Sequence, residues 1–94
     1  MIKKKVDIHS QPSQKDMKIL EVLYNSKKFN KLEAEASKLI QKHPNVGPLF
    51  NILGFALHKQ GHLEKAATNY EQAISIDPKF VFAHNNLGNV FKDL

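Results

Sequence analysis

Histidines and carboxylates are the first residues to ask about, because they carry most metal-ligand and general acid–base chemistry in a chain without cysteine. His58 and His62 have the four-residue separation of a helical metal pair, but Gly61 lies between them and is expected to break the helix there. They read as polar turn residues. His84 falls at a packing position and reads as a half-buried filler, His9 sits near the start of the chain and His43 precedes a proline. Glu33, Glu35, Glu64 and Glu71 read as solvated helix faces, and no nucleophile can be paired with a base. The expectation is no catalytic, metal or cofactor site: a chain that works by binding and is not an enzyme.

The elements that position these residues centre on the stretch from Gly47 to Pro78. Its first half places Leu49, Phe50, Leu53, Ala56 and Leu57 at helical spacings, and its second half does the same with Leu63, Ala66, Ala67, Tyr70, Ala73 and Ile74. Pro48 suits the first turn of a helix, Gly61 suits a left-handed helix end, and Pro78 cannot continue a helix. The stretch is predicted to be an αα-hairpin. Pro44 lies 34 residues before Pro78 and fixes the register of a more divergent copy, with Ile19, Leu20 and Leu23 on one helix and Phe29, Leu32, Ala36, Leu39 and Ile40 on the next. In this copy Lys27 replaces the turn glycine. Leucines at 20 and 32 stand where small residues occur in the other, so these two helices are expected to sit farther apart. After Pro78 a third copy begins, and only its first helix is present.

These spacings resemble those of the tetratricopeptide repeat, a 34-residue helix-turn-helix unit. With Gly47 as position 1, Phe50, Leu53, Gly54, Leu57, Ala66, Tyr70, Ala73 and Pro78 occupy positions 4, 7, 8, 11, 20, 24, 27 and 32, each of the kind the family uses there. The run HNNLGNVFKDL, with the hairpin before it, is similar to the arrays of O-linked N-acetylglucosamine transferases and bacterial repeat proteins. The resemblance implies an all-α, right-handed solenoid fragment of antiparallel helical hairpins, about five helices in all. It divides the chain into a flexible basic leader over 1–13, a degenerate repeat over about 13–46, a full repeat over 47–80 and a first helix over 81–94.

The family's concave surface is lined by fixed positions of each first helix. Carried over, these are Met17, Glu21 and Tyr24, then Asn51, Ile52 and Phe55, then Phe82, Asn85, Asn86 and Asn89. Asn86 matches the asparagine that holds peptide backbone in glycosyltransferase-type arrays, and Ile52 departs from it in the second repeat. The family's chaperone-binding members clamp a carboxylate terminus with lysines and asparagines. Here Met17, Glu21, Ile52, Phe82 and Asn86 stand at those places, and Glu21 repels an anion.

The net charge of +5 is carried largely by lysines among the first 31 residues and reads as a solvated surface, with nucleic acid an unlikely partner in the absence of recognition motifs. Lys3, Lys4 and Lys5 are followed by no apolar signal-peptide core, and no segment approaches a membrane span, which points to a cytoplasmic protein without a membrane partner. The expected function is a protein-interaction scaffold that takes a peptide or helix in its groove. The alternative is the amino-terminal scaffold of a larger enzyme. A stripe of Ala83, Leu87, Val90 and Leu94 is expected to face the missing partner helix, meet water, and drive homodimerisation.

Overall fold

The computed structural model describes residues 11–94, which form α1 (Gln14–Asn25), α2 (Phe29–Lys42), α3 (Gly47–Lys59), α4 (Leu63–Ile76) and α5 (Val81–Asp93). The leader expected over 1–13 lies outside the described residues except for its last three. Of these, Ser13 caps α1: its Oγ accepts from the Asp16 amide at 3.0 Å, and the Asp16 carboxylate accepts from the Ser13 amide at 3.4 Å. The two contacts satisfy donors that a helix start leaves free.

The two hairpin turns are built alike. Gly61 has φ +86°, with His62 N–H donating to Leu57 O and Gly61 N–H to His58 O. Thirty-four residues earlier Lys27 has φ +59°, with Lys28 N–H donating to Leu23 O and Lys27 N–H to Tyr24 O. Both are the paired bonds of a left-handed helix cap. Lysine therefore adopts a conformation that glycine adopts freely, at a cost from its Cβ.

Each helix packs on its neighbours in sequence, and α3 also touches α5, so the stack is elongated at 52 × 27 × 18 Å. Two apolar clusters hold it. Leu20, Leu32, Ala36 and Leu39 are buried with Leu49 and Ala56 of α3, and Leu57 is buried with Ala66, Ala67 and Tyr70 of α4 and Val90 of α5. Leu20 and Leu32 fill the first hairpin where the second has small residues, and α1 meets α2 less extensively than α3 meets α4. In the second hairpin a Cβ built on Gly54 would lie 2.8 Å from the Tyr70 ring. The bare helix is what admits that fully buried ring.

The expected exposed stripe is corrected by this packing. Ala83 and Val90 are fully buried, and Leu87 is half-buried against the cluster of Tyr70 and Leu57; only Leu94 remains open to water. The first helix of each repeat has two packing sides. Ala83 and Val90 sit one repeat after Leu49 and Ala56, whose side meets the preceding hairpin, so their stripe is already covered. The other side of α5 is the open one. His84 lies there and is exposed, not half-buried, with Nε2 donating to Pro78 O at 2.8 Å.

Gly54 and Gly88 occupy one repeat position with opposite surroundings, because among the described residues a Cβ on Gly88 would meet nothing within 4 Å. Gly54→Ala should lower stability by about 1 to 3 kcal/mol through overpacking, and Gly88→Ala should raise it by up to about 1 kcal/mol through helix propensity. Denaturant titration of the two variants checks both signs. Lys27→Gly should raise the thermal midpoint, worth about 1 kcal/mol, by relieving the left-handed backbone. Burial of Tyr70, followed by the nearby Tyr24 phenol, pushes the Tyr70 hydroxyl well above the usual tyrosine range. A raised folded-state value means that stability is intact below the unfolded-state value of about 10 and falls as pH climbs above it, by up to about 1.4 kcal/mol per pH unit. Relative to Tyr70→Phe, the parent chain should therefore lose denaturant resistance from about pH 10 upward.

Candidate functional site

The first helices of the repeats, α1, α3 and α5, share one face, which the repeat resemblance makes the concave one. Helical spacing presents Met17, Glu21 and Tyr24 on α1, Asn51, Ile52 and Phe55 on α3, and Phe82, Asn86 and Asn89 on α5. Three contacts between helices tie this face together. Asn86 Nδ2 donates to Asn51 Oδ1 at 3.0 Å, and His58 Nε2 meets Asp93 Oδ2 at 2.7 Å. The rings of Tyr24 and Phe55 lie 4.8 Å apart.

The two polar links span 35 residues each, one repeat plus one residue. Position 5 of a first helix meets position 6 of the next, and position 12 meets position 13. Asn85 occupies the place of Asn51 but stays exposed at the end of the described array. The asparagine pair is half-buried and leaves the Asn86 carbonyl and the Asn51 amide with hydrogen-bonding capacity to spare. Sequence reasoning assigned both residues to the face but did not pair them. The 35-residue offset was the available signal, and it appears only once consecutive first helices are laid side by side.

Phe55 is less free than a groove residue was expected to be. It is half-buried between the Tyr24 ring, the Phe29 ring at 5.9 Å and the Lys59 ammonium 5.4 Å above its face. Aromatic pairs of this kind add about 0.5 to 1.5 kcal/mol beyond area burial, so Phe55 stabilises the joint between the first two repeats as well as lining the face. Phe82, by contrast, is 70% exposed and stands edge-on to Phe80 at 6.4 Å.

Between α1 and α3 the face opens into a cavity of about 230 Å³ lined by Met17, Leu20, Glu21, Tyr24 and Ile52. Its walls are apolar apart from Glu21, whose carboxylate lies 3.4 Å from Lys18 on the exposed outer side of α1. Leu20 was read as a packing residue only, and it forms the floor because the first hairpin carries leucine where the second carries glycine. A cavity of this size and lining holds one bulky aliphatic or aromatic side chain. Its rim carries a negative charge that disfavours a carboxylate there.

His58 and His62 are separated by the end of α3 at Lys59 and the Gly61 turn, and His58 is engaged by Asp93. Among the described residues no three histidine or carboxylate side chains gather closely enough to hold a metal ion. Nor is any described helix long and apolar enough to cross a membrane.

Comparison with known proteins agrees with this geometry over the second half of the chain. Residues 54–94 match the sequence family described as TPR repeat. The uncharacterized protein ycf37 of Pyropia yezoensis is 37% identical over 49 residues, and its counterpart from Porphyra purpurea is 35% identical over 48. These matches take in 52% and 51% of this chain but 28% of each relative, so the similarity spans less than a third of those proteins. From Gly54 in α3 to the end of α5, the chain is similar to TPR repeat sequence, and that stretch is carried on an all-α fold of sequential helical hairpins.

Proposed function

We propose that the chain is a protein-interaction module whose α1, α3 and α5 face binds an extended or helical segment of another protein through an apolar anchor residue. The observation that carries this reading is the 230 Å³ cavity lined by Met17, Leu20, Glu21, Tyr24 and Ile52, the last of which follows Asn51 of the Asn51–Asn86 pair on α3. The anchor residue enters the cavity and supplies the affinity, because removing apolar surface from water is the main favourable term in such contacts. The spare amide groups of Asn51 and Asn86 hold the backbone of the bound segment and set its direction. Phe82, exposed on α5, extends the apolar contact toward the other end of the face. The described side chains serve recognition and not catalysis.

A second reading draws on the same asparagine pair and on the run HNNLGNVFKDL, which resembles glycosyltransferase-type arrays. In it the helices position substrates for a catalytic domain. The coding sequence downstream of Leu94 distinguishes the two: continuation into a catalytic domain favours the second.

Selection from a displayed peptide library tests the first reading. Enriched peptides should share one bulky aliphatic or aromatic residue, and Ile52→Lys should weaken their binding, measured by calorimetry, by about tenfold or more. The helical circular dichroism of that variant should be retained. Peptides ending in an acidic carboxylate-rich tail should show no appreciable affinity. Micromolar binding of such a tail, or binders indifferent to Ile52→Lys, would refute the assignment.

A further inference from the structure

The cavity between α1 and α3 lies at a joint with both its helices in place, and the next joint shows how such a place is closed. One repeat on, Met17 and Ile52 correspond to Asn51 and Asn86, which bond across α3 and α5 at 3.0 Å. Tyr24 corresponds to His58, which meets Asp93 at 2.7 Å. At the first joint Met17 and Ile52 form no such bond, and Lys59, in the place of Asp93, stands over the Phe55 ring. The cavity is open because of the residue types at this joint, not because a neighbouring helix is lacking. Two polar groups stand at its rim. Glu21 and Tyr24 line it from α1 three residues apart, which makes their side chains neighbours on one side of the helix. The Glu21 side chain is 59% exposed and meets Lys18 through one carboxylate oxygen at 3.4 Å, an exposed pair of little strength that leaves the second oxygen to offer. Tyr24 lays its ring against Phe55 and keeps 46% of its surface open, and its hydroxyl can accept as well as donate.

We infer that the segment bound in the groove carries an arginine beside its apolar anchor, with the guanidinium held between the Glu21 carboxylate and the Tyr24 hydroxyl. This rests on the reading of the cavity as the seat of an apolar anchor and names the chemistry next to that anchor. Glu21 is the one charged residue among the described residues that line the cavity, so the charge the rim favours is positive. Neither Lys18 nor Lys59 lines it, and each is engaged elsewhere, Lys18 beside Glu21 on the exposed side of α1 and Lys59 5.4 Å above Phe55. Arginine suits this rim better than lysine. Its planar fork of five donors serves a carboxylate and a hydroxyl together, whereas an ammonium is a compact point charge. A guanidinium is also more weakly hydrated, which eases its approach to apolar walls, and its plane stacks on an aromatic ring such as that of Tyr24.

Peptides selected on the full chain from a displayed library should carry arginine adjacent to their shared apolar residue or one position away. For one such peptide, calorimetry should rank arginine above lysine, and citrulline, which keeps the shape of arginine and loses its charge, should bind about threefold to fivefold more weakly. Glu21→Gln should weaken the arginine peptide by a similar factor and leave the citrulline peptide unchanged, the cycle that isolates this pair. Added salt should narrow the gap between the two peptides. Retained helical circular dichroism in Glu21→Gln separates loss of the charge from loss of the fold. Binders that share an apolar anchor and depend on Ile52, yet show no enriched arginine or bind equally well with citrulline, overturn this inference and leave the groove reading standing. A citrulline effect that persists undiminished in Glu21→Gln places the arginine elsewhere and also overturns it. Binders indifferent to Ile52→Lys, or no binders at all, remove the groove reading and the arginine with it.

Discussion

The approach of α3 to α4 is set by a single contact, the Tyr70 ring lying where a Gly54 side chain would be. A ring atom 2.8 Å from the site of a Cβ leaves no room for any side chain there. The rest of the second hairpin follows from that closeness. Ala66 and Ala73 are fully buried because two helices this near each other admit only small residues beside the ring. Leu57 and Ala67 close the layer and present, toward α5, the surface on which Val90 and Leu87 settle. The position of α5, and with it the Asn51–Asn86 and His58–Asp93 links, thus depends on how near α4 stands to α3.

The first hairpin has a different solution, and the cavity is its product. With Leu20 and Leu32 where the second hairpin has Gly54 and Ala66, the space is filled by aliphatic side chains from both helices, and Ala36 stands where the second hairpin has Tyr70. Leu20 then reaches the face shared with Ile52 and floors the hollow beside Met17 and Tyr24. The departure from the repeat pattern at Leu20 and Leu32 is thus what gives this end of the face its hollow.

Helix limits were legible in the sequence because they are set by local chemistry. Pro44 and Pro78 bound the repeats, Gly61 marks one turn, and the 34-residue register places Lys27 at the other, where its backbone is left-handed like that of Gly61. Periodicity also identified Ala83, Leu87, Val90 and Leu94 as a stripe. It could not say which neighbour the stripe meets, because a first helix has one side for the preceding hairpin and another for its own partner, and both are apolar at helical spacing. Leu49 and Ala56, buried against α2, held the information in the preceding repeat. Contacts between repeats were less legible still. Asn51 with Asn86 and His58 with Asp93 depend on the one-residue offset between stacked helices, which arises from packing angle and not from residue type.

Two of the three sides of each first helix are thus committed to the fold and one to the surface, and α5 is where that division changes. Its Ala83 and Val90 side is spent on α4, its Asn86 and Asp93 side is bonded to α3, and its Gly88 side faces no described helix. A glycine inside a helix costs stability unless something uses the space it leaves. At Gly54 that something is Tyr70; at Gly88 there is nothing among the described residues. The same residue at the same repeat position therefore seats a ring in one repeat and meets no described neighbour in the next.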